Sequence, residues 1–355
     1  MNTWCIISDN ILDRTFMGKK VALLGCKGTT LDMLSDFTRR TGVQISQVIT
    51  LPSNLGRRNN VAFFRGNEIR QHCKETGTAC YTVNSYSLND NEDITFFQNA
   101  GIDLLLVIGW ERLLPDLVLS SLGLFACGMH GSPYGLPKGR GRSPMNWSLI
   151  DGHELFLSSL FRYTPGTDDG NIIGSRMFEI NEFDTIATLH LKNRICMTDL
   201  LVTYLPNILR GQHHETPQPP TLPTFFPKRT KDDGRIDWRQ TTKQIYNLIR
   251  AVASPYPGAR TSVNGREVII WEAIPFSRAI FPGHYKEGQI LDVSVAGECF
   301  VVSTGDGSLL IQRFEGISVK NLEPGMCLCS VDADEIMTEI RTRYEPKLSA
   351  SQKEI

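Results

Sequence analysis

The chain has 355 residues, with 37 Lys plus Arg against 38 Asp plus Glu and a formal charge of −1. That length allows two domains and a sizeable core. The near-neutral balance argues against a dedicated nucleic-acid binder, which carries a basic surplus. Nine cysteines, an odd number with no CxxC pair and several inside apolar runs ("LLGC", "LFAC"), read as buried free thiols in a reducing compartment rather than a metal or disulfide set. The amino-terminal "MNTWCIISDNILDR" lacks a cationic n-region and a long apolar core. No apolar run approaches the ~20 residues that span a bilayer. The expectation is a cytoplasmic protein with no membrane partner and no metal.

In chain order, "KKVALLGCKGTTLDMLSDFTRR" predicts a buried strand at Val21–Leu24, a glycine turn and an amphipathic helix from Thr30. "VQISQVIT" predicts a second strand, "NEIRQHCKETG" a helix and "ACYTV" a short strand. "IDLLLVIGW" and "LFACGMH" are continuous apolar runs, as suits strands covered on both faces. Strands alternating with helices imply an α/β fold, a Rossmann-like, mostly parallel sheet with helices on both faces. "DTIATLHLKNRICMTDLLVTYLPNILRG" predicts a long helix with Asp184 as N-cap, bent or ended at Pro206.

Composition then changes. "GQHHETPQPPTLPTFFPKR" places five prolines ahead of Lys228 and reads as an extended linker. The pair His213 and His214 within it reads as solvated rather than metal-binding. Beyond it, "TTKQIYNLIRAVA" predicts a helix. The alternating runs after it, cut by NG, AG and DG turns, predict a smaller β-rich, barrel-like domain. The expected division is a catalytic domain over residues 1–210, a Pro-rich linker over 211–227, the β-rich domain over 228–345 and a polar tail over 346–355.

In an open α/β sheet, ligands bind beyond the carboxyl ends of the strands. Two predicted strands end there in loops of unusual composition: "VIGWERLLP" and "GMHGSPYGLPKGRG". His130 stands at the expected crevice. The strand-like "FLSSLFRY" runs into "TPGTDDGNIIG", which brings Asp168 and Asp169 in a glycine turn. A carboxylate beside a histidine can fix its tautomer and orientation for proton transfer. "GCKGTT" is neither a dinucleotide fingerprint nor a Walker loop, so neither NAD nor ATP is expected.

These residues together resemble the formyltransferase family that uses 10-formyltetrahydrofolate. That signature runs Asn-x-His, Ser, Leu-Pro, Arg-Gly-x-x-Pro and a helix, then Asp-x-Gly some forty residues after the His. His130, Ser132, Leu136, Pro137, Arg140, Gly141, Pro144, Asp168 and Gly170 match it, and the resemblance extends over roughly residues 19–320. Two departures stand out. Gly128 occupies the place of the Asn, and the "GSPYG" loop is about two residues longer than the usual form.

The resemblance implies attack by a neutral amine on the formyl carbon of 10-formyltetrahydrofolate, giving an oxyanion that expels the folate nitrogen. It assigns His130 to the oxyanion or proton transfer and Asp168 to orienting His130 or relaying protons; which is the base stays open. Asp169 reads as turn-forming. Asn146, the nearest Asn in sequence, is a candidate replacement donor. Trp110, Leu113, Ser132, Leu136, Pro137, Arg140 and Gly170 are assigned to the folate, with Trp110 as a core aromatic and Arg140 with Arg142 as a solvated pair the alternatives. Thr29, Thr30, Lys228, Arg229 and Tyr256 are assigned to the substrate. A homodimer is expected.

Three substrate readings remain: a nucleotide-linked amino-deoxysugar of surface-glycan biosynthesis, methionyl-tRNA, or a catalytically degenerate folate- or nucleotide-binding relative. Residues 210–355 hold 18 basic and 18 acidic residues, not the polycation a tRNA demands. The sugar reading is favoured, with no nucleic-acid partner.

Overall fold

The computed structural model describes residues 18–352; Cys5 and the stretch read for a signal lie outside them. In chain order come β1 (Val21–Leu24), α1 (Gly28–Thr41), β2 (Gln47–Thr50), α2 (Ser53–Arg58), α3 (Gly66–Thr76), β3 (Ala79–Thr82), α4 (Asn91–Ala100), β4 (Leu104–Val107), α5 (Asp116–Leu119) and β5 (Phe125–Ser132). Then follow β6 (Arg140–Gly141), α6 (Pro144–Ile150), β7 (Leu155–Arg162), β8 (Ile172–Glu179), α7 (Ile186–Leu209) and β9 (Phe225–Phe226). The chain ends with α8 (Thr242–Val252), β10 (Ala259–Val263), β11 (Arg266–Phe276), β12 (Ile290–Ser294), β13 (Cys299–Ser303), β14 (Ser308–Glu315) and α9 (Ala333–Gln352). The tail read as polar is thus helical as far as Gln352.

The large sheet has the order β3-β2-β1-β4-β5-β7-β8. Strands β1 to β5 pair in parallel. Their apolar runs are continuous because both faces are covered. Val21 and Leu23 join one core with Met33 and Phe37, while Ala22 and Leu24 join a second with Leu105, Val107 and Phe97. Each fully buried Leu or Phe contributes about 1.5–3 kcal/mol relative to its exposed state. A charge at Leu23, which has no exposed surface, would have no compensating partner there.

Three local expectations shift. Strand β2 begins at Gln47, because residues 43–46 pack Val43 and Ile45 into the core before entering the ladder. Helix α7 continues three residues past Pro206 and stops before Gly211, whose φ is +69°. Asp184 does not cap that helix in the expected way. Its carboxylate accepts from the Asn181 N–H, the Thr188 hydroxyl and the Lys192 ammonium at 2.8, 2.8 and 2.6 Å. Among the described residues no helix is long and apolar enough to cross a membrane. Of the described cysteines, Cys26, Cys73, Cys127 and Cys196 are buried, whereas Cys80, Cys327 and Cys329 are exposed.

The chain divides into two compact units. One takes the described residues up to His130, with Ser158–Arg176 and Arg194–Pro220; the other takes Gly131–Leu157, Met177–Asn193 and everything from Thr221. The second unit contains an antiparallel sheet of order β10-β11-β14-β13-β12. Trp238, Ile245, Ile249, Ile270, Phe300 and Ile311 form its core with α8. Asn264 and Gly265, with φ of +50° and +77°, close the β10–β11 hairpin, the backbone that an Asn-Gly pair favours.

Candidate active site

The strand order reverses at β1, which lies between β2 and β4. Such a reversal splays the connections beyond the carboxyl ends of the strands and leaves a crevice. The loops there approach closely: a Cβ on Gly25 would lie 2.0 Å from the Ile108 carbonyl oxygen, so only glycine fits. One strand further along, β5 delivers Ala126, Gly128 and His130 to a single face, since side chains alternate along a strand.

His130 is buried, 9% exposed, with Nδ1 3.3 Å from an Asp168 carboxylate oxygen. Asp168 has a φ of +49°, a left-handed conformation that Asp tolerates better than most residues. Two features hold it there. The Gln218 amide donates to the Asp168 and Gly170 carbonyls at 2.7 and 2.8 Å. A Cβ on Gly170 would sit 1.7 Å from the Arg162 carbonyl oxygen. Asp169 is exposed and accepts the Thr164 hydroxyl inside the turn, a loop-shaping contact.

The place of the missing Asn is filled. A Cβ on Gly128 would meet two ring carbons of Tyr163 at 2.5 and 2.7 Å. Tyr163 follows β7, and its N–H donates to the Ala126 carbonyl at 2.7 Å. Sequence reasoning gave Tyr163 no role. The available signal was an aromatic closing a strand beside a motif position reduced to glycine, but the β5–β7 pairing was needed to use it.

Trp110 is buried against Tyr86, ring centroids 4.7 Å apart at 79°. Its indole N–H has no hydrogen-bond partner among the described residues. A buried unpaired donor costs about 1–3 kcal/mol and marks a position where a ligand acceptor would be welcome. Leu113, in the same loop, is 48% exposed. The Lys27 ammonium pairs with Glu111 beside them, another contact that the sequence did not reveal. Thr29 is half-buried. Thr30 is a correction: it has no exposed surface, and its hydroxyl donates to the Ile108 carbonyl at 2.6 Å. It ties the first turn of α1 to the carboxyl end of β4 and is closed off from a phosphate.

The remaining candidates lie in the second unit. The Ser132 hydroxyl donates to the Lys138 carbonyl at 2.6 Å and accepts from the Tyr134 N–H. Leu136 and Pro137, joined by a cis peptide, are buried, and the Arg140 N–H donates to the Thr224 carbonyl at 2.9 Å. These contacts shape the long loop. Asn146 is 1% exposed and its amide donates to the Ala251 carbonyl at 2.7 Å, so its donor serves α6–α8 packing rather than an oxyanion. Lys228 is half-buried. The Arg229 guanidinium lies 4.7 Å from the Trp147 ring, and burial pushes its pKa down to about 10. Tyr256 shares a 3.2 Å hydrogen bond with His190 Nε2.

Nor is His213 solvated as expected. It packs against the Phe125 ring, centroids 5.1 Å apart, with Nε2 2.9 Å from Glu215. Among the described residues no cluster of three or more His, Cys, Asp or Glu could hold a metal.

Two family profiles match this chain: "Formyl transferase" over residues 19–205 and "Formyl transferase, C-terminal domain" over residues 228–324. Solved structures share its fold. The N-formyltransferase from Helicobacter canadensis, in complex with folinic acid and dTDP-3-aminofucose, is 17% identical, with a TM-score of 0.58, over 84% of this chain and 100% of that one. WlaRD, a sugar 3N-formyl transferase crystallised with dTDP and 5-N-formyl-THF, is 16% identical, with a TM-score of 0.59, over 83% and 97%. A variant of HypX from Aquifex aeolicus is 20% identical, with a TM-score of 0.55, over 84% of this chain and 49% of that one. The chain thus spans about half the length of HypX.

Proposed function

The chain belongs to the formyl transferase family, and from that premise we propose that it moves a formyl group from 10-formyltetrahydrofolate to the amino group of a nucleotide-linked amino-deoxysugar. The observation that carries the reading is the His130–Asp168 pair, 3.3 Å apart at the carboxyl end of a parallel strand. The bound folate supplies a formyl carbon open to attack and a nitrogen that leaves. Asp168 faces Nδ1 and thereby fixes the imidazole plane and tautomer, which commits Nε2 to the reacting groups. Trp110 suits the folate on two counts: an apolar face and an indole N–H without a partner among the described residues. Leu113 offers exposed apolar surface in the same loop.

The choice of acceptor rests on charge. The 18 acidic residues of 210–355 balance the 18 basic ones, and a nucleotide sugar, unlike tRNA, needs few phosphate contacts. The relatives crystallised with dTDP or a dTDP-sugar point the same way. Thr29 remains the proposed phosphate contact at the β1 end. No membrane partner and a cytoplasmic setting fit this chemistry, with a homodimer as the proposed assembly.

The test is product mass. The protein is incubated with 10-formyltetrahydrofolate and a panel of nucleotide-linked 3- and 4-amino-deoxysugars, with methionyl-tRNA alongside. A sugar that gains one formyl group is the expected product. Formylation of methionyl-tRNA, with binding that falls steeply as salt rises, would replace the sugar reading; folate binding without any product would identify a degenerate relative.

A further inference from the structure

We infer that the Tyr163 hydroxyl supplies the oxyanion hydrogen bond that the resembling motif assigns to an asparagine at the position held here by Gly128. The inference deepens the formyl-transfer reading and rests on it. Tyr163 is anchored by its own backbone, N–H to the Ala126 carbonyl at 2.7 Å, and its ring stacks on Phe161 with centroids 5.6 Å apart. The ring lies where a Cβ on Gly128 would be, 2.5 Å from its nearest carbon. Contacts below 3 Å are excluded by van der Waals repulsion, so an Asn at 128 and the Tyr163 ring are alternatives for one space. Residues 128 and 130 share a face of β5, the face on which the ring lies at Gly128.

The chemistry of the group fits the vacancy. The Tyr163 side chain is half-buried and ends in a hydroxyl. Burial and the Asp168 carboxylate push the phenol pKa up, so at neutral pH the group is an O–H donor rather than a phenolate. In the transfer step the acceptor nitrogen bonds to the formyl carbon and the bond from that carbon to the folate nitrogen breaks. One proton leaves the acceptor nitrogen and one reaches the folate nitrogen. Negative charge builds on the formyl oxygen and is released when the carbonyl re-forms. The Tyr163 O–H stabilises that charge without any net proton transfer of its own.

The experiment pairs Tyr163→Phe, which keeps the ring and removes the hydroxyl, with wild type. We expect kcat to fall about a hundredfold to a thousandfold. KM and the dissociation constant for folinic acid, followed by intrinsic fluorescence, should change less than about threefold, because the hydrogen bond strengthens only as charge develops. An active wild type whose Tyr163→Phe variant keeps full kcat overturns the inference alone. A wild type that forms no formyl product overturns the functional reading and the inference with it.

Discussion

Two glycines of β5 meet aromatic rings in the same way and with different consequences. At Gly131 a Cβ would lie 2.1 Å from a ring carbon of Phe156; at Gly128 it would lie 2.5 Å from one of Tyr163. Phe156 is 1% exposed and belongs to an apolar core with Leu149, Ile180 and Ile186. Tyr163 is half-buried and ends in a hydroxyl, whose pKa is pushed up by burial and by the charge of the Asp168 carboxylate. The packing device is shared, so packing alone does not mark a site. What separates the two is the polar atom at the end of the ring and the charged group near it.

The largest expected effect tests the core member. Phe156→Ala should cost about 3–5 kcal/mol of stability, read as a lowered midpoint of denaturant unfolding, whereas Tyr163→Phe should change that midpoint by less than about 1 kcal/mol. Equal losses would erase the distinction. Next comes the His130–Asp168 pair. His130→Ala and Asp168→Ala should each lower turnover by about a hundredfold or more, with the double variant little worse than the worse single one. Multiplicative losses would show that the two act separately.

The sequence made part of this legible. Strand β1 was readable as Val21–Leu24 because a run buried on both faces is apolar without interruption. That His130 and Asp168 come together, 3.3 Å apart, was readable because the motif pairs them by order and spacing. Tyr163 was not, since its meaning depends on the β5–β7 pairing, which no local pattern encodes. For the same reason Thr30 looked like a phosphate contact in a turn; the Ile108 carbonyl that engages it lies 78 positions away. His213 looked solvated among prolines, yet Phe125 and the neighbouring Glu215 enclose it. Long-range partners, rather than residue types, decided each of these cases.

Smaller effects sharpen the comparison. Gly128→Asn in the wild-type background must displace the Tyr163 ring and should cost about 1–3 kcal/mol without any gain in turnover. In the second unit Asp237 is a carboxylate used for structure. Burial raises its pKa, but hydrogen bonds from Arg239, the Ala333 N–H and Ser330 outweigh that and hold it at about 2. A carboxyl depressed on folding stabilises above its unfolded pKa of about 3.9 and loses that contribution as pH falls towards 2. Asp237→Asn should therefore lower stability by on the order of 2 kcal/mol at neutral pH, with the gap to wild type closing between about pH 4 and 2. A gap that persists at pH 2 would assign the effect to packing.

The most direct test is an exchange of the donor between the two positions that compete for one space. Tyr163→Ala removes both ring and hydroxyl and leaves room over Gly128 for an asparagine. Adding Gly128→Asn to Tyr163→Ala should raise kcat by about tenfold or more over Tyr163→Ala alone, because an amide N–H then stands where the phenol stood. No recovery in a folded, folate-binding double variant, or a comparable gain from Gly128→Asn with Tyr163 in place, would contradict the claim that this site is complete as it stands.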